Sequence, residues 1–276
     1  MRIDLHTHSN RSDGTDSPSE LVSKAVSAGL DVVALTDHDS TAGWEEAEQA
    51  AMDVGRIELV RGIEVSTKLD GKSIHLLGYE FDPTDVPLLA ELDRVLTGRN
   101  SRLPGIIANL NAIGIDITAA EVDAKASNAK ASGRPHVADV LVDKRVVVDR
   151  DEAFDLYLMP GRPGYVHRYA ADLPDTIRLL KAAGGKTVLA HPWSRGSDRV
   201  LTPARIAELA DLGLDGLEVD HNDHGLEARA RLGQLARELG LVHTGSSDYH
   251  GTGKSARFSL GCHTTARDQF ERLLSR

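Results

Sequence analysis

The stretch Ile3-Asp4-Leu5-His6-Thr7-His8-Ser9 predicts a short buried strand that ends in two histidines. Alternate side chains of a strand point to the same face, so His6 and His8 project together from the carboxyl end of this strand. Two imidazoles in that arrangement can bind one metal ion. The spacing alone is equally compatible with two chance polar residues at a strand end, so a metal site needs support from other residues of the chain.

Composition and charge limit the class of protein. The chain has 276 residues, of which 41% are hydrophobic and 27% charged, and its formal net charge is −10. These values are typical of one large α/β domain or of a domain with an insertion. The acidic charge argues against binding of long duplex nucleic acid, which needs a basic stripe, but is compatible with a small phosphate substrate held by metal ions.

The cysteine content and the length of the apolar runs indicate the cellular compartment and exclude some kinds of redox chemistry. Cys262 is the one cysteine, so the sequence predicts neither a disulfide framework nor a thiolate metal cluster. The chain enters a strand at once, without the apolar segment of a signal peptide, and its apolar runs stay well short of the ~20 residues that span a bilayer. We therefore expect a cytoplasmic protein that makes no membrane contact.

Apolar runs alternate with helical segments over most of the chain. Ser17-Pro18-Ser19-Glu20 has the pattern of a capping box with proline at the first helical position, and a strand follows at 30–35. Such β-α-β units indicate parallel α/β architecture. About seven strands are expected, and ionisable residues cluster after their carboxyl ends, as in α/β barrels. The further predicted strands are 57–60, 73–79, 186–190, 216–219 and 241–244.

The strand signal is weak between residues 99 and 165, where short helical patches rich in Ala, Asp and Lys prevail. We interpret this segment as a mainly helical insertion that stands over the end of the sheet. The predicted barrel domain is then made of residues 1–98 and 166–276. The insertion carries the motif Gly133-Arg134-Pro135-His136.

Metal-binding side chains follow or end most of the apolar runs. One divalent ion takes about four to six ligands, so this set predicts two or three ions bridged by a carboxylate, for which Glu64 is the natural choice. Any single histidine is often a hydrogen-bonded structural residue, but their joint placement at one end of one sheet favours metal binding. The candidate ligands are His6, His8, Asp13, His38, Glu64, His75, His191, Asp248 and His250.

These motifs resemble, in order and spacing, those of the PHP (polymerase and histidinol phosphatase) domain family. They are His6-x-His8, Asp37-His38, Gly62-Ile63-Glu64, His75, Ala190-His191-Pro192 and Ser247-Asp248-x-His250. Ser12-Asp13-Gly14 and Arg134-Pro135-His136 are similar to a TrpH/YciV-type subgroup. That subgroup contains nucleoside monophosphate and 3′,5′-bisphosphate phosphatases and 5′→3′ exoribonuclease-like proteins.

The resemblance implies a distorted, TIM-barrel-like (β/α)7 barrel with a trinuclear metal site. Carried over residue by residue, the first ion is held by His6, His8, Glu64 and Asp248, the second by Glu64, His75 and His191, and the third by Asp13, His38 and His250. Many family phosphatases have histidine at the position of Asp13. A carboxylate there favours manganese or iron (Mn²⁺ or Fe²⁺) over zinc (Zn²⁺), which stays an alternative.

The expected reaction is in-line displacement at phosphorus by a metal-activated hydroxide, because two or three neighbouring ions suit it and the sequence has no Cys or Ser nucleophile motif. Arg134 is expected to bind a phosphate oxygen pair, and His136 to bind phosphate or protonate the leaving oxygen. The alternative for this motif is a loop that caps a helix.

Four further residues complete the predicted site. Arg99 and Arg102 are weaker candidates for contact with substrate, since charged helix positions are usually solvated. Asp37 is placed in the catalytic set as a carboxylate that orients His38. His224 follows a strand, so it either touches a base or ribose or lies in a solvated loop.

The function expected first is a metal-dependent phosphoesterase that releases phosphate from nucleotides such as AMP or 3′-phosphoadenosine 5′-phosphate (pAp). The same site on short RNA or DNA would make a 5′→3′ exonuclease, which needs a channel lined by basic or aromatic residues, yet aromatics are only 4%. Histidinol phosphatase is disfavoured by Asp13 and the insertion. A non-catalytic metal-binding or polymerase-accessory module is disfavoured because no ligand is lost. The sequence leaves the metal, the exact substrate, the general acid and the oligomeric state open.

Overall fold

A sheet of seven strands curls into a nearly closed barrel in the computed structural model, which describes residues 1–126 and 128–276. An eighth, short strand, β5, pairs with β3 outside this path. The strands are β1 (Ile3–Asp4), β2 (Val32–Leu35), β3 (Glu58–Leu69), β4 (Lys72–Tyr79), β5 (Ala171–Asp172), β6 (Lys186–Ala190), β7 (Gly216–Asp220) and β8 (Val242–Gly245). The barrel order is β1-β2-β3-β4-β6-β7-β8. The prediction of a distorted (β/α)7 barrel is confirmed.

Strand β4 runs against its neighbours and so breaks the parallel pattern. It pairs antiparallel with both β3 and β6, and the β3–β4 hairpin turns at Asp70 and Gly71, whose φ angles of 48° and 78° suit a tight two-residue turn. Because β4 is reversed, His75 near its beginning lies beside Ser66 and Ala190. The reversal thus brings His75 to the barrel end where the parallel strands finish.

Alternate strand residues supply the two faces of the barrel wall. On β2, Val32 and Ala34 belong to the hydrophobic cluster inside the barrel, whereas Val33 and Leu35 pack with the surrounding helices. The outer helices are α1 (Pro18–Ser27), α2 (Trp44–Val54), α3 (Val86–Ser101), α8 (Leu173–Ala182), α9 (Pro203–Asp211), α10 (Leu226–Glu238) and α11 (Arg267–Leu274). The capping box predicted at Ser17 is present: its hydroxyl accepts from the Glu20 N–H at 3.2 Å, and the Glu20 carboxylate accepts from the Ser17 N–H at 2.8 Å.

Four helices that follow α3 build a hydrophobic cluster of their own. They are α4 (Leu103–Ala112), α5 (Ala119–Lys125), α6 (Arg134–Asp143) and α7 (Arg150–Ala153), the last of which continues as a π-helical turn at Phe154–Leu158. Helix α3 runs across residue 99, so the first boundary predicted for the insertion falls within a helix. The division into a barrel and a 99–165 insertion stays a prediction. No helix in the described part of the chain is long and apolar enough to cross a membrane.

A buried carboxylate on β1 helps to close the barrel. The segments that follow the edge strands β1 and β8 meet through the bridge pair Thr7 and Tyr249. Next to that bridge, the fully buried carboxylate of Asp4 accepts from the N–H groups of Ser247 at 3.0 Å and Gly261 at 2.8 Å. Asp4 therefore ties the first strand to the segments that follow the last one.

Replacing Asp4 by Ala is expected to lower the free energy of unfolding by about 2–4 kcal/mol, because the buried N–H of Ser247 and the partly buried N–H of Gly261 lose their acceptor. Urea unfolding of both proteins measures the difference. Asp31→Ala is the matched control, since Asp31 also accepts a backbone N–H, from Arg2 at 2.6 Å, but is 55% exposed. An equal, small loss in both variants would contradict the closing role of Asp4.

Candidate metal centre

All nine candidate ligands meet at the carboxyl end of the barrel. Three overlapping groups have ligand atoms within 4.8 Å of one another: His8, Asp13, His38 and His250; His6, His8 and Asp248; and His38, Glu64 and His75. The ninth residue, His191, joins them through Glu64, with Nε2 3.2 Å from Oε1. Loops after β1, β2, β6 and β8 and the antiparallel pair β3–β4 contribute to one cluster.

Glu64 lies at the centre of this cluster and is 1% exposed. Its Oε1 is 2.7 Å from Nδ1 of His75 and 3.2 Å from Nε2 of His191. Burial favours the neutral acid, but the surrounding imidazoles hold the pKa of Glu64 well below its usual range. The ionised carboxylate can therefore serve both halves of the cluster. Its Oε2 is 3.0–3.3 Å from ring nitrogens of three more histidines, His38, His8 and His6.

The side chains converge as ligands of divalent ions would. Nε2 of His6 and Nε2 of His8 are only 3.0 Å apart, and they lie 3.5 and 3.4 Å from Oδ1 of Asp248. Nδ1 of His8 is buried without a hydrogen-bond partner among the described residues and points toward Asp13, 3.8 Å away. Imidazole and carboxylate donors together suit Mn²⁺, Fe²⁺ or Zn²⁺, so the residues present fit a metal centre.

Charge is distributed unevenly over the cluster. Burial lowers the pKa of His8, but the nearby carboxylates of Asp248 and Glu64 outweigh it and raise that pKa to about 9. At His250, burial and the neighbouring His8 lower the pKa to about 3. The carboxylates therefore draw positive charge to the His6–His8 side of the cluster.

Strained backbone sets the direction of two of these side chains. His191 follows β6 with a φ of 30°, and Asp248 follows β8 with a φ of 53°. Such conformations persist in residues other than glycine when the surroundings over-determine them, and they concentrate at functional sites. In the first loop, a Cβ on Gly14 would lie 2.4 Å from the carbonyl oxygen of His8, so only glycine lets Asp13 approach the cluster here.

Beside the cluster lies a cavity of about 630 Å³ that is rich in arginine. Arg102 is 6% exposed, and its Nε has no hydrogen-bond partner in the described part of the chain. Burial, together with Arg134 and Arg168 nearby, lowers the pKa of Arg102 to about 8. None of these three arginines forms an ion pair with a described Asp or Glu. Arg99, in contrast, donates to Asp39 at 2.6 Å.

Two predicted substrate residues lie outside the lining of the cavity. Nδ1 of His136 accepts the Gly133 N–H at 3.0 Å at the start of α6, so the alternative of a helix-capping loop describes this end of the motif. His224 is 3% exposed. Its Nδ1 lies 2.9 Å from the Val219 carbonyl, and its Nε2 accepts the Trp193 N–H at 3.2 Å. Both ring nitrogens of His224 therefore bond the backbone in this structure, and its contact with substrate stays a prediction.

Asp37 has a different partner from the one predicted. Its carboxylate accepts from the N–H of Ser9 at 2.8 Å and from the hydroxyls of Ser9 and Ser12 at 2.6 Å, rather than from His38. It is buried and does not line the cavity. Asp37 therefore shapes the first loop, which carries Asp13, and its assignment to the catalytic set stays a prediction.

The structure adds four residues to the site that the predicted ligand and substrate sets do not contain. Glu218 and His221 bond the candidate ligands His6 and Asp248, at 3.0 and 3.2 Å. A charged residue within the apolar run of β7 is the signal that could have revealed Glu218. Lys254 contacts Asp248, and Arg168 lines the cavity. No pattern in the sequence distinguishes these last two from solvated residues.

Comparison with known proteins identifies the class. A family model described as PHP domain matches residues 4–111. The chain is 35% identical over 255 residues to 3′,5′-nucleoside bisphosphate phosphatase of Chromobacterium violaceum, covering 92% of this chain and 89% of that protein. It is 37% identical over 249 residues to 5′-3′ exoribonuclease of Haemophilus influenzae, covering 90% of each.

A solved structure agrees with these relatives. A crystal structure from Bifidobacterium adolescentis, assigned as a metal-dependent phosphoesterase, matches with a TM-score of 0.93 and 33% identity over 99% of this chain and 95% of that one. Fold and site thus define a metal-dependent phosphoric ester hydrolase. The chain belongs to the PHP domain family, in the subgroup that the sequence motifs indicated.

Proposed function

We propose that this protein hydrolyses a phosphate monoester of a small nucleotide that carries a second phosphate, such as pAp, and that it acts more weakly on AMP. The observation that carries this proposal is the set of three arginines that form no ion pair with a described Asp or Glu, Arg102, Arg134 and Arg168, in the cavity beside the ligand cluster. A buried guanidinium without a counter-charge costs free energy that an anionic ligand offsets. One phosphate at the ligand cluster would leave these arginines unpaired, and a second phosphate would pair them.

The proposed metal centre holds two to three divalent ions, with Mn²⁺ or Fe²⁺ favoured over Zn²⁺. His6, His8, Glu64 and Asp248 would hold the first ion, Glu64, His75 and His191 the second, and Asp13, His38 and His250 the third. The ligand groups in the structure support these sets, although His8 also approaches the third and His38 the second. Such ions supply Lewis acidity toward water and phosphate oxygens.

The chain's own residues bind, orient and enclose the substrate in this proposal. Arg134 donates one N–H to the Leu158 carbonyl at 2.8 Å, which anchors its guanidinium at the wall of the cavity. Phe154 from the insertion and Phe258 from the barrel also line the cavity and offer apolar surface to a base. The cavity volume of about 630 Å³ is in the range of sites for small molecules, so the helices of the insertion would limit substrate length.

A 5′→3′ exonuclease acting on short RNA or DNA is the second candidate. Arg195 and Arg257 also line the cavity, and they would suit the next phosphodiester of an oligonucleotide. The relative from Haemophilus influenzae bears the name of such an enzyme. The two candidate functions use the same ligand cluster. They differ in whether the substrate continues beyond its first two phosphates.

A substrate panel tests both candidates. The protein is incubated with Mn²⁺ and pAp, AMP, 3′-AMP or a short 5′-phosphorylated RNA oligonucleotide, and release of phosphate and of mononucleotides is measured. We expect kcat/KM for pAp to exceed that for AMP by about 10-fold or more, because one added charged contact stabilises the complex by roughly 1.5–3 kcal/mol. Faster release of mononucleotides from RNA would favour the exonuclease. No turnover of any substrate under Mn²⁺, Fe²⁺ or Zn²⁺ would contradict both.

A further inference from the structure

Glu218 is a fully buried carboxylate on β7 that contacts two candidate ligands at once. Its Oε1 accepts from Nδ1 of His6 at 3.0 Å. Its Oε2 accepts the backbone N–H of His191 at 2.8 Å. One side chain therefore reaches the first strand of the barrel and the loop after β6.

The contact with His6 determines which ring nitrogen faces the cluster. With Nδ1 donating to Glu218, Nε2 of His6 points at Oε2 of Glu64, 3.3 Å away, and at Asp248. A carboxylate that accepts the distal N–H of a metal-binding imidazole sets the tautomer and the ring orientation and raises the basicity of the ligand.

The contact with His191 holds a strained backbone. His191 has a φ of 30°, and its Nε2 is directed at Oε1 of Glu64, 3.2 Å away. Ser194 supports the same residue, with its hydroxyl 3.1 Å from Nδ1 of His191 and its N–H donating to the His191 carbonyl at 2.9 Å. Glu218 fastens the remaining backbone donor, so the strained backbone that directs the imidazole cannot relax without breaking a buried hydrogen bond.

Glu218 itself is remote from the substrate. Both of its oxygens are engaged, and it does not line the cavity. It can act on the reaction only through His6 and His191.

We propose that Glu218 is a positioning residue of the metal centre, which aims His6 through its side chain at Oε2 of Glu64 and His191 through its backbone at Oε1 of Glu64. The inference rests on the proposed metal centre. It predicts that the charge and reach of Glu218 are needed for metal affinity more than for folding.

The test compares Mn²⁺ binding to the metal-free wild-type protein, Glu218→Gln and Asp215→Asn by calorimetric titration, together with the unfolding midpoint of each metal-free protein. Asp215 is a matched control because it directly precedes β7, is 5% exposed and accepts from the Thr187 N–H and from Lys181, both at 2.8 Å, away from the cluster. For Glu218→Gln we expect a loss of Mn²⁺ affinity of about 10- to 100-fold. For Asp215→Asn we expect an affinity within about threefold of wild type.

Each outcome bears on a separate statement. Unchanged Mn²⁺ affinity and stoichiometry in Glu218→Gln would overturn the positioning role while leaving the proposed metal centre in place. A wild-type protein that binds no Mn²⁺, Fe²⁺ or Zn²⁺ would overturn the metal centre and, with it, this inference. If metal-free Glu218→Gln does not fold, Glu218→Asp decides: it keeps the charge but is too short to reach both partners, so wild-type affinity in that variant would overturn the role.

Discussion

Replacing Glu64 by Gln is expected to lower kcat by at least about 10³-fold for every substrate of the panel and to reduce the number of bound metal ions. Glu64 is the carboxylate that five imidazoles approach, at 2.7–3.3 Å. An amide has one acceptor oxygen and no charge, so it can serve only one half of the cluster. Charge stabilisation by bound ions is worth several kcal/mol in the transition state, which corresponds to that loss of rate.

Phosphate release and elemental analysis of the dialysed protein measure this effect. Glu58→Gln is the control on the same strand, because Glu58 begins β3 and is exposed. We expect wild-type metal content and activity from it. A Glu64→Gln protein that keeps its full metal content and its activity would refute the bridging role of Glu64 and the proposed division of the ligands.

Arg102→Ala has the largest expected effect on substrate choice. We expect kcat/KM for pAp to fall by about 10- to 100-fold, because the second phosphate loses a charge-assisted contact of roughly 1.5–3 kcal/mol. The value for AMP should change by less than about threefold. Discrimination between the two substrates would then largely disappear.

Stability offers a second, independent readout for Arg102. A buried guanidinium that no described carboxylate pairs costs free energy in the ligand-free protein, so Arg102→Ala should leave the free energy of unfolding unchanged or raise it. Arg162→Ala is the control, since Arg162 belongs to the same segment and is exposed. A marked loss of stability, with pAp and AMP affected equally, would show that Arg102 is structural and would remove the main support for a bisphosphate substrate.

Residue type and position explain why the ligand cluster was predictable. Burying a histidine or a carboxylate at the end of an apolar run costs free energy unless the side chain binds a partner. His38, His191 and Asp248 are therefore recognisable from the sequence alone. The parallel strands then bring those ends together, because β-α-β connections return each strand to the same direction. The strands at 73–79 and 186–190 were placed within one residue of the observed limits for the same reason.

Other features depend on contacts between distant segments. The prediction ends strand β3 at residue 60, where Arg61 and Gly62 interrupt its apolar run, but the strand continues to Leu69 because the hairpin with β4 still pairs the backbone. In the sequence, Arg102 and Arg99 cannot be told apart, because both are charged residues of a predicted helical segment. Only the fold gives Asp39 to Arg99 and leaves Arg102 without a carboxylate among the described residues.

The opening stretch shows where the two kinds of information divide. By itself the sequence determined that the side chains of His6 and His8 converge after the first strand and that the ligands follow the strands of an α/β barrel, since both follow from the local periodicity of the backbone. The tertiary structure decided that Glu218 holds His6, that Asp37 binds the first loop and that the ring of His224 bonds backbone groups. Those partners are set by burial and by contacts across the barrel, over separations of up to 212 residues, which no local pattern encodes.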